Sequence, residues 1–368
     1  MKNSKMNYIP ISQPSITQKE IDYVTDAVKS GWISSLGEYV ENFEKKFCEY
    51  CDTKYSLTTA NGTVALHLVL AALGINQEDE VIVPDFTFVA TANAVKYLGA
   101  KVITVDIDEE TYCISPKAIE KAITSKTKAI VPVHLYGHPA NMDEINKIAK
   151  ANNVFVIEDA AESHGAEING KKVGGLGDAA IFSLYGNKII TSGEGGVITT
   201  NNHLLYKKMK YLRDQAMSSG KRYWHTEIGF NYRMTNLQAA LALAQLERID
   251  EILEKKLEIF SWYHNYLNNI SSIKLNYNLD NYKNVYWVIC IELLNFSENE
   301  RDALMAKLNK RNIDSRPYFY PISEMPMYSS VCTPVTKLIS KRGINLPSYY
   351  DMTKDQVSYI CKELKELL

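Results

Sequence analysis

Val154-Phe155-Val156-Ile157-Glu158-Asp159 is a run of four apolar residues that ends in two acids. It shows no alternation of apolar and polar positions. A strand of that kind is buried on both faces, as in a parallel sheet covered by helices. Similar apolar runs lie on either side of it, at 55–59, 80–84, 101–106 and 129–135 before and at 179–185 and 196–200 after. Helical periodicity falls between several of them, at 63–73, 89–97, 116–123 and 142–151. Strands alternating with helices predict an α/β fold: a mostly parallel, seven-stranded sheet flanked by helices, with right-handed crossovers.

Outward from that sheet, two helices are expected at 17–29 and 38–50, the first opened by Thr17 and Glu20 as a capping box. One long helix at 236–266 is expected to lead out of the sheet domain. The rest reads as α+β: a strand at 285–293, a helix at 298–311, an extended piece at 314–320 and a helix at 354–367. The expected division is a large α/β domain over 1–250 and a smaller C-terminal α+β domain over 251–368. The first dozen residues are expected to pack on the smaller domain.

Composition removes several function classes. The 368 residues carry 41 Lys and Arg against 43 Asp and Glu, so no broad basic surface for nucleic acid is expected. The start has no apolar signal segment, and no apolar run approaches the ~20 residues that span a bilayer, so a cytoplasmic protein without a membrane anchor is expected. Of six cysteines, only Cys48 and Cys51 form a C-x-x-C. That pair ends a helical pattern and has no matching second pair, so reduced thiols and no metal site are expected.

Ligands of open α/β sheets sit beyond the carboxyl ends of the strands. Four groups fall there. Asn61-Gly62-Thr63 follows a strand and opens a helix, which suits a phosphate cradle or an ordinary capped turn. Asp159 ends a buried strand, where a carboxylate needs a partner. A protonated pyridine nitrogen is one, and a helix cap or salt bridge is the other reading. Lys188 stands in Ser183-Leu184-Tyr185-Gly186-Asn187-Lys188, between two apolar strands and ahead of Gly193-Glu194-Gly195-Gly196. A desolvated lysine there is nucleophilic near neutral pH and could carry pyridoxal phosphate, with Ser183 donating to the phosphate. The plain reading is a solvated loop lysine. Asn231 and Arg233 precede a helix and could meet an anion, or simply surround the Thr235 cap.

These groups, in this order, resemble the sugar aminotransferases of the DegT/DnrJ/EryC1/StrS family. The resemblance spans essentially the whole chain. It rests on Asn61-Gly62-Thr63-Val64-Ala65-Leu66, Val133-His134-Leu135-Tyr136-Gly137, Ile157-Glu158-Asp159-Ala160-Ala161-Glu162, Gly186-Asn187-Lys188 and Asn231-Tyr232-Arg233-Met234-Thr235-Asn236. It implies a fold type I architecture, pyridoxal 5'-phosphate as cofactor, L-glutamate as amino donor, a nucleotide-linked keto sugar as acceptor, and a homodimer with shared active sites. By motif, it makes Lys188 the catalytic, cofactor-binding lysine. It sets Asp159 at the pyridine nitrogen, Glu162 near the ring hydroxyl, and Gly62, Thr63 and Ser183 at the phosphate. Phe88 would stack on the ring, and Asn231 would reach the neighbouring subunit's cofactor.

Trp32-Ile33-Ser34-Ser35, Arg222-Tyr223-Trp224-His225 and Arg342-Gly343-Ile344-Asn345-Leu346-Pro347-Ser348 resemble the members of that family that convert GDP-4-keto-6-deoxy-D-mannose to GDP-perosamine for O-antigen lipopolysaccharide. Trp224, His225, Arg316 and Tyr320 are the substrate-binding candidates this implies. The alternatives are amination of a dTDP- or UDP-linked sugar, the dehydration run by relatives with His in place of the lysine, and a regulatory role. Three positions depart from the family pattern. Leu184-Tyr185 stands where paired Phe is expected, Ala216 where Gly is usual, and Tyr320 where some relatives have His.

Overall fold

A computed structural model of the chain describes residues 7–368. Its centre is a seven-stranded sheet. From edge to edge the strands are Tyr55–Thr59, Gly196–Thr200, Ala179–Ser183, Phe155–Asp159, Thr127–Ile130, Glu80–Pro84 and Lys101–Val105. Only Gly196–Thr200 runs antiparallel to its neighbours, so the expected mostly parallel sheet is present.

Strand neighbours divide between two apolar clusters. Val81, Val83, Ile157 and Ile181 enter one, and Ile82, Val156, Ala180 and Phe182 enter the other. Successive side chains of a strand point to opposite faces, so both faces of this sheet are core. Helices Gly62–Ala72, Ala90–Lys96 and His203–Arg213 lie over the first cluster, and Glu38–Tyr50 and Met142–Asn152 lie over the second.

A four-stranded antiparallel sheet follows, ordered Ile273–Leu275, Ile289–Leu293, Gly343–Leu346, Arg316–Pro317. It has its own apolar cluster, which includes Ile259, Tyr263, Ile289, Leu304, Leu346 and Ile360. Ile9 belongs to that cluster and bridges Ile313, so the described part of the first dozen residues packs against this sheet. Residues 1–6 of that expectation lie outside the described residues.

Local rules explain most element ends. The Thr17 N–H donates to Glu20 at 2.7 Å, completing the expected capping box. Thr235, Ser297 and Thr353 form capping boxes with Gln238, Glu300 and Gln356.

Three expectations are corrected. The long helix is two, Asn236–Leu246 and Ile249–Leu267, because Arg248 leaves helical geometry to bind Glu20 at 2.8 Å and Glu251 at 3.1 Å. Regular pairing in 285–293 begins only at Ile289, since Tyr286 takes φ 47° and turns the chain. The 129–135 run pairs regularly only to Ile130, ahead of Pro132, which has no N–H to give a ladder, and closes in a tight turn at Leu135–Gly137. Helices His203–Arg213 and Pro334–Arg342 and strand Gly343–Leu346 come in addition to the expected elements.

Candidate active site

The carboxyl ends of the strands open onto a cavity of about 740 Å³. Its lining brings together Gly62, Thr63, Phe88, Asp159, Glu162, Ser183 and Lys188, which are seven of the residues singled out from sequence.

The turn after Tyr55–Thr59 is built for close approach. Asn61 Oδ1 accepts from the Val64 N–H at 3.0 Å, capping Gly62–Ala72. The first N–H groups of a helix have no partner within it, so they face whatever occupies the turn. A Cβ on Gly62 would sit 3.1 Å from the Ser183 Cβ, so the glycine lets this turn lie against the Ala179–Ser183 strand. A Cβ on Gly196 would meet the Asn61 backbone at 2.6 Å, which only glycine permits. Two glycines and Ser183 thus bring the helix opening to the sheet edge.

Glu158 and Asp159 point to opposite faces, as strand neighbours do. Glu158 is fully buried. It accepts from the N–H groups of Gly174, Leu176 and Gly177 at 2.9, 2.7 and 2.8 Å. His134 Nε2 lies 3.0 Å from the oxygen that accepts from Gly174, while His134 Nδ1 accepts from the Ala140 N–H at 3.0 Å. Nδ1 as acceptor leaves Nε2 as donor, so this histidine braces Glu158. Glu158 has no valence left for a ligand. Asp159 faces the cavity and has two donors, Thr91 Oγ1 at 2.8 Å and the Ala161 N–H at 3.2 Å. Burial raises its pKa, against the lowering effects of Thr91, Ala161, Lys188 and His134.

Lys188 lies in the hairpin loop between Ala179–Ser183 and Gly196–Thr200. Its N–H closes a turn on the Tyr185 carbonyl at 2.9 Å, and Ile189 and Ile190 behind it are buried. The side chain is 12% exposed, and its amine lies 3.5 Å from Glu162 Oε1 and 4.1 Å from the centre of the Trp287 ring. Burial raises the Glu162 pKa, while Lys188 and the Tyr136 N–H pull it down. Glu162 Oε2 accepts that N–H at 3.0 Å, and Tyr136 holds φ 53° to deliver it. A non-glycine residue held in the left-handed region is strained, and such strain collects at working sites.

Phe88 is 56% exposed at the mouth, its ring 6.0 Å from that of Phe319. Asn231, Trp224, His225, Arg316 and Tyr320 do not line this cavity. Asn231 is exposed and bridges Asp214. The Lys221 amine lies 4.1 Å from the centre of the exposed Trp224 ring, and His225 Nδ1 lies 2.8 Å from the Gln215 carbonyl. Arg316 pairs with Asp314, and the Tyr320 hydroxyl contacts Arg301.

Sequence reasoning missed Thr91, Tyr136 and Trp287. Thr91 had a usable signal, because a buried Asp159 requires a donor. Trp287 had none, since it arrives from a segment about a hundred residues beyond Lys188.

A family model described as the DegT/DnrJ/EryC1/StrS aminotransferase family matches residues 14–365. The chain is 46% identical to a GDP-perosamine synthase of Escherichia coli O157:H7, over 98% of this chain and 99% of that one. It is 43% identical to a GDP-perosamine synthase of Caulobacter vibrioides, over 99% and 100%. Among solved structures, Spr1654 of Streptococcus pneumoniae, a proposed sugar aminotransferase in its PLP form, superposes with a TM-score of 0.93 at 26% identity, covering 98% and 100%.

Proposed function

The chain belongs to the DegT/DnrJ/EryC1/StrS aminotransferase family, and from that premise we propose that it transfers the amino group of L-glutamate to a GDP-linked 4-keto-6-deoxy sugar, GDP-4-keto-6-deoxy-D-mannose, giving GDP-perosamine. The observation that carries this reading is the convergence of Lys188, Asp159, Glu162 and the Gly62-Thr63-Ser183 turn on one cavity. The names of two relatives at 46% and 43% identity support the sugar.

The cavity fits pyridoxal phosphate. A helix opening that a side chain would crowd suits a phosphate. A buried aspartate with only neutral donors suits a cationic ring nitrogen, and an amine stands nearby. When bound, the cofactor supplies an electron sink for charge developing on the reacting carbon. The side chains do the rest. Gly62, Thr63 and Ser183 hold the phosphate. Asp159 keeps the proton on the ring nitrogen, and Glu162 takes the ring hydroxyl side. Phe88 covers one ring face and excludes water. Lys188 Nζ holds the cofactor at rest. With that amine free, Lys188 Nζ would move the proton at the α-carbon of glutamate in one half-reaction and at the sugar carbon in the other.

The enzyme works as a homodimer in the cytoplasm, and its product feeds O-antigen assembly. Large apolar side chains left in water support the dimer: Ile228 at 90%, Tyr223 at 75% and Leu36 at 66% exposure. In that arrangement the partner subunit's Asn231 reaches the phosphate, and Trp224, His225, Arg316 and Tyr320 contact the nucleotide sugar at the subunit boundary.

The test is a panel of GDP-, dTDP- and UDP-linked 4-keto-6-deoxy sugars offered with glutamate to yellow, cofactor-loaded protein. The expected result is preferred turnover of the GDP sugar. A preference for another nucleotide would overturn the sugar assignment, and a protein that takes up no cofactor would overturn the class.

A further inference from the structure

Lys256 lies within helix Ile249–Leu267 and is buried. Among the described residues, none of its hydrogen bonds goes to a carboxylate. Its ammonium donates to the Trp287 carbonyl at 2.9 Å, to the Ser348 carbonyl in a short bond, and to Ser348 Oγ at 3.3 Å. An ammonium has three N–H donors, and three acceptors converge on this one. Ser348 Oγ also donates to the Trp287 carbonyl at 3.2 Å, closing the cluster.

The two segments gathered here belong to different parts of the chain. The Ser348 N–H donates to the Ile11 carbonyl at 3.2 Å, and two turns along the same helix Tyr263 donates to the Pro347 carbonyl at 2.9 Å. Trp287 leads the other way. Its indole N–H donates to the Asn187 carbonyl at 2.7 Å, and its ring lies 4.1 Å from Lys188 Nζ. The backbone of Trp287 is thus fastened at Lys256, while its side chain touches both Lys188 and the peptide before it. Trp287 follows Tyr286, which sits at φ 47°, so ladder pairing does not fix this stretch.

We propose that Lys256 is a positioning residue for the reaction at Lys188: it fixes the Trp287 backbone, so that the indole forms one wall of the Lys188 amine and braces the loop that carries it. This rests on Lys188 being the reactive amine. A buried cation without a carboxylate is costly to keep, and burial alone draws this ammonium down to about 7. An apolar side chain would fill the space but take this donor from the Ser348 carbonyl and leave the Trp287 carbonyl only Ser348 Oγ.

The experiment has a cofactor-free arm and a turnover arm. In apoprotein, Lys188 is acetylated by a water-soluble reagent and quantified by peptide mass spectrometry, with Lys362, 70% exposed, as internal standard. Lys256→Met is expected to raise Lys188 labelling about tenfold over that standard, the factor one charge-assisted hydrogen bond represents. In holoenzyme the same variant lowers kcat by about as much with little change in the KM for glutamate, and Lys256→Arg restores both. In a Trp287→Phe background, Lys256→Met adds less than it does alone, because the two act in series.

Should Lys256→Met fail to fold, Ser348→Ala removes one arm of the cluster and is expected to move labelling the same way by about threefold. Unchanged Lys188 labelling in a folded Lys256→Met or Ser348→Ala protein, or full additivity with Trp287→Phe, would overturn the proposal. An active Lys188→Ala enzyme would instead overturn the assignment of Lys188, and the labelling arm would still report on Lys256.

Discussion

Thr91→Val removes one hydroxyl and keeps the shape of the side chain. Thr91 Oγ1 is the side-chain donor to Asp159, at 2.8 Å, and the Ala161 N–H, at 3.2 Å, serves the other oxygen. Valine therefore leaves Oδ2 of a buried carboxylate without that donor. A hydrogen bond to a charged acceptor contributes roughly 1.5–3 kcal/mol, which is about ten- to a hundredfold in an equilibrium constant. The burial that already raises the Asp159 pKa is then opposed by fewer donors, so the carboxyl moves further toward its neutral form. A neutral carboxyl holds a protonated ring nitrogen poorly. The expected result is a loss of pyridoxal phosphate affinity of about ten- to a hundredfold, with a similar fall in the single-turnover rate with glutamate. Equilibrium dialysis and stopped-flow absorbance measure the two. Thr87→Val is the control, since Thr87 lies 3.3 Å from the Thr91 hydroxyl and has no bond to Asp159. Cofactor affinity in Thr91→Val equal to that of the control would refute the claim that Asp159 recognises the ring nitrogen.

Gly196→Ala forces a methyl against the Asn61 backbone at 2.6 Å. Overpacking of this kind costs about 1–3 kcal/mol, so denaturant unfolding should shift by that amount and cofactor affinity should fall with the displaced turn. Glu158→Gln and Asp159→Asn should separate structure from chemistry. The first breaks a buried, four-bonded carboxylate and costs about 1–3 kcal/mol of stability, while the second costs little stability and abolishes transamination. Equal effects of the two on activity and unfolding would contradict the opposite facing of these neighbours. Glu20 gives a pH signature. Burial raises its pKa, but hydrogen bonds from Thr17, Arg248 and Gln245 outweigh burial and hold it at about 2, against 4.5 for a free side chain. The folded pKa is the lower one, so this stabilisation is full above about 4.5 and fades as pH falls toward about 2. The stability gap between the native protein and Glu20→Gln should close over that window, and a gap constant with pH would refute the linkage.

The sheet was legible because its strands are buried on both faces and carry their own signal. Every expected strand of the large sheet is present, with shifts of a residue or two at most ends. The long helix misled because the local pattern marks no stop at Glu247 and Arg248, which are held by Lys19, Glu20 and Lys46 of the two N-terminal helices. Strand Gly343–Leu346 was missed because four residues next to Pro347 carry too little pattern, although it is a central strand of its sheet. In the site, seven residues read from sequence gather at one cavity because they stand at or just beyond a strand end or helix start, while Asn231, Trp224, His225, Arg316 and Tyr320 do not line it. Thr91 and Trp287 act through contacts between distant segments that no local pattern announces, and Tyr136 stood in a quoted motif without a role.

The central claim is that Lys188 carries the cofactor, and the chain holds a buried lysine, Lys256, against which to judge it. Borohydride reduction of the loaded protein fixes the cofactor to the lysine that holds it, and peptide mass spectrometry then locates the label. The account predicts the label on the peptide containing Gly186-Asn187-Lys188 and its absence after Lys188→Ala. A label on Lys256, or one that survives Lys188→Ala at another lysine, would contradict it.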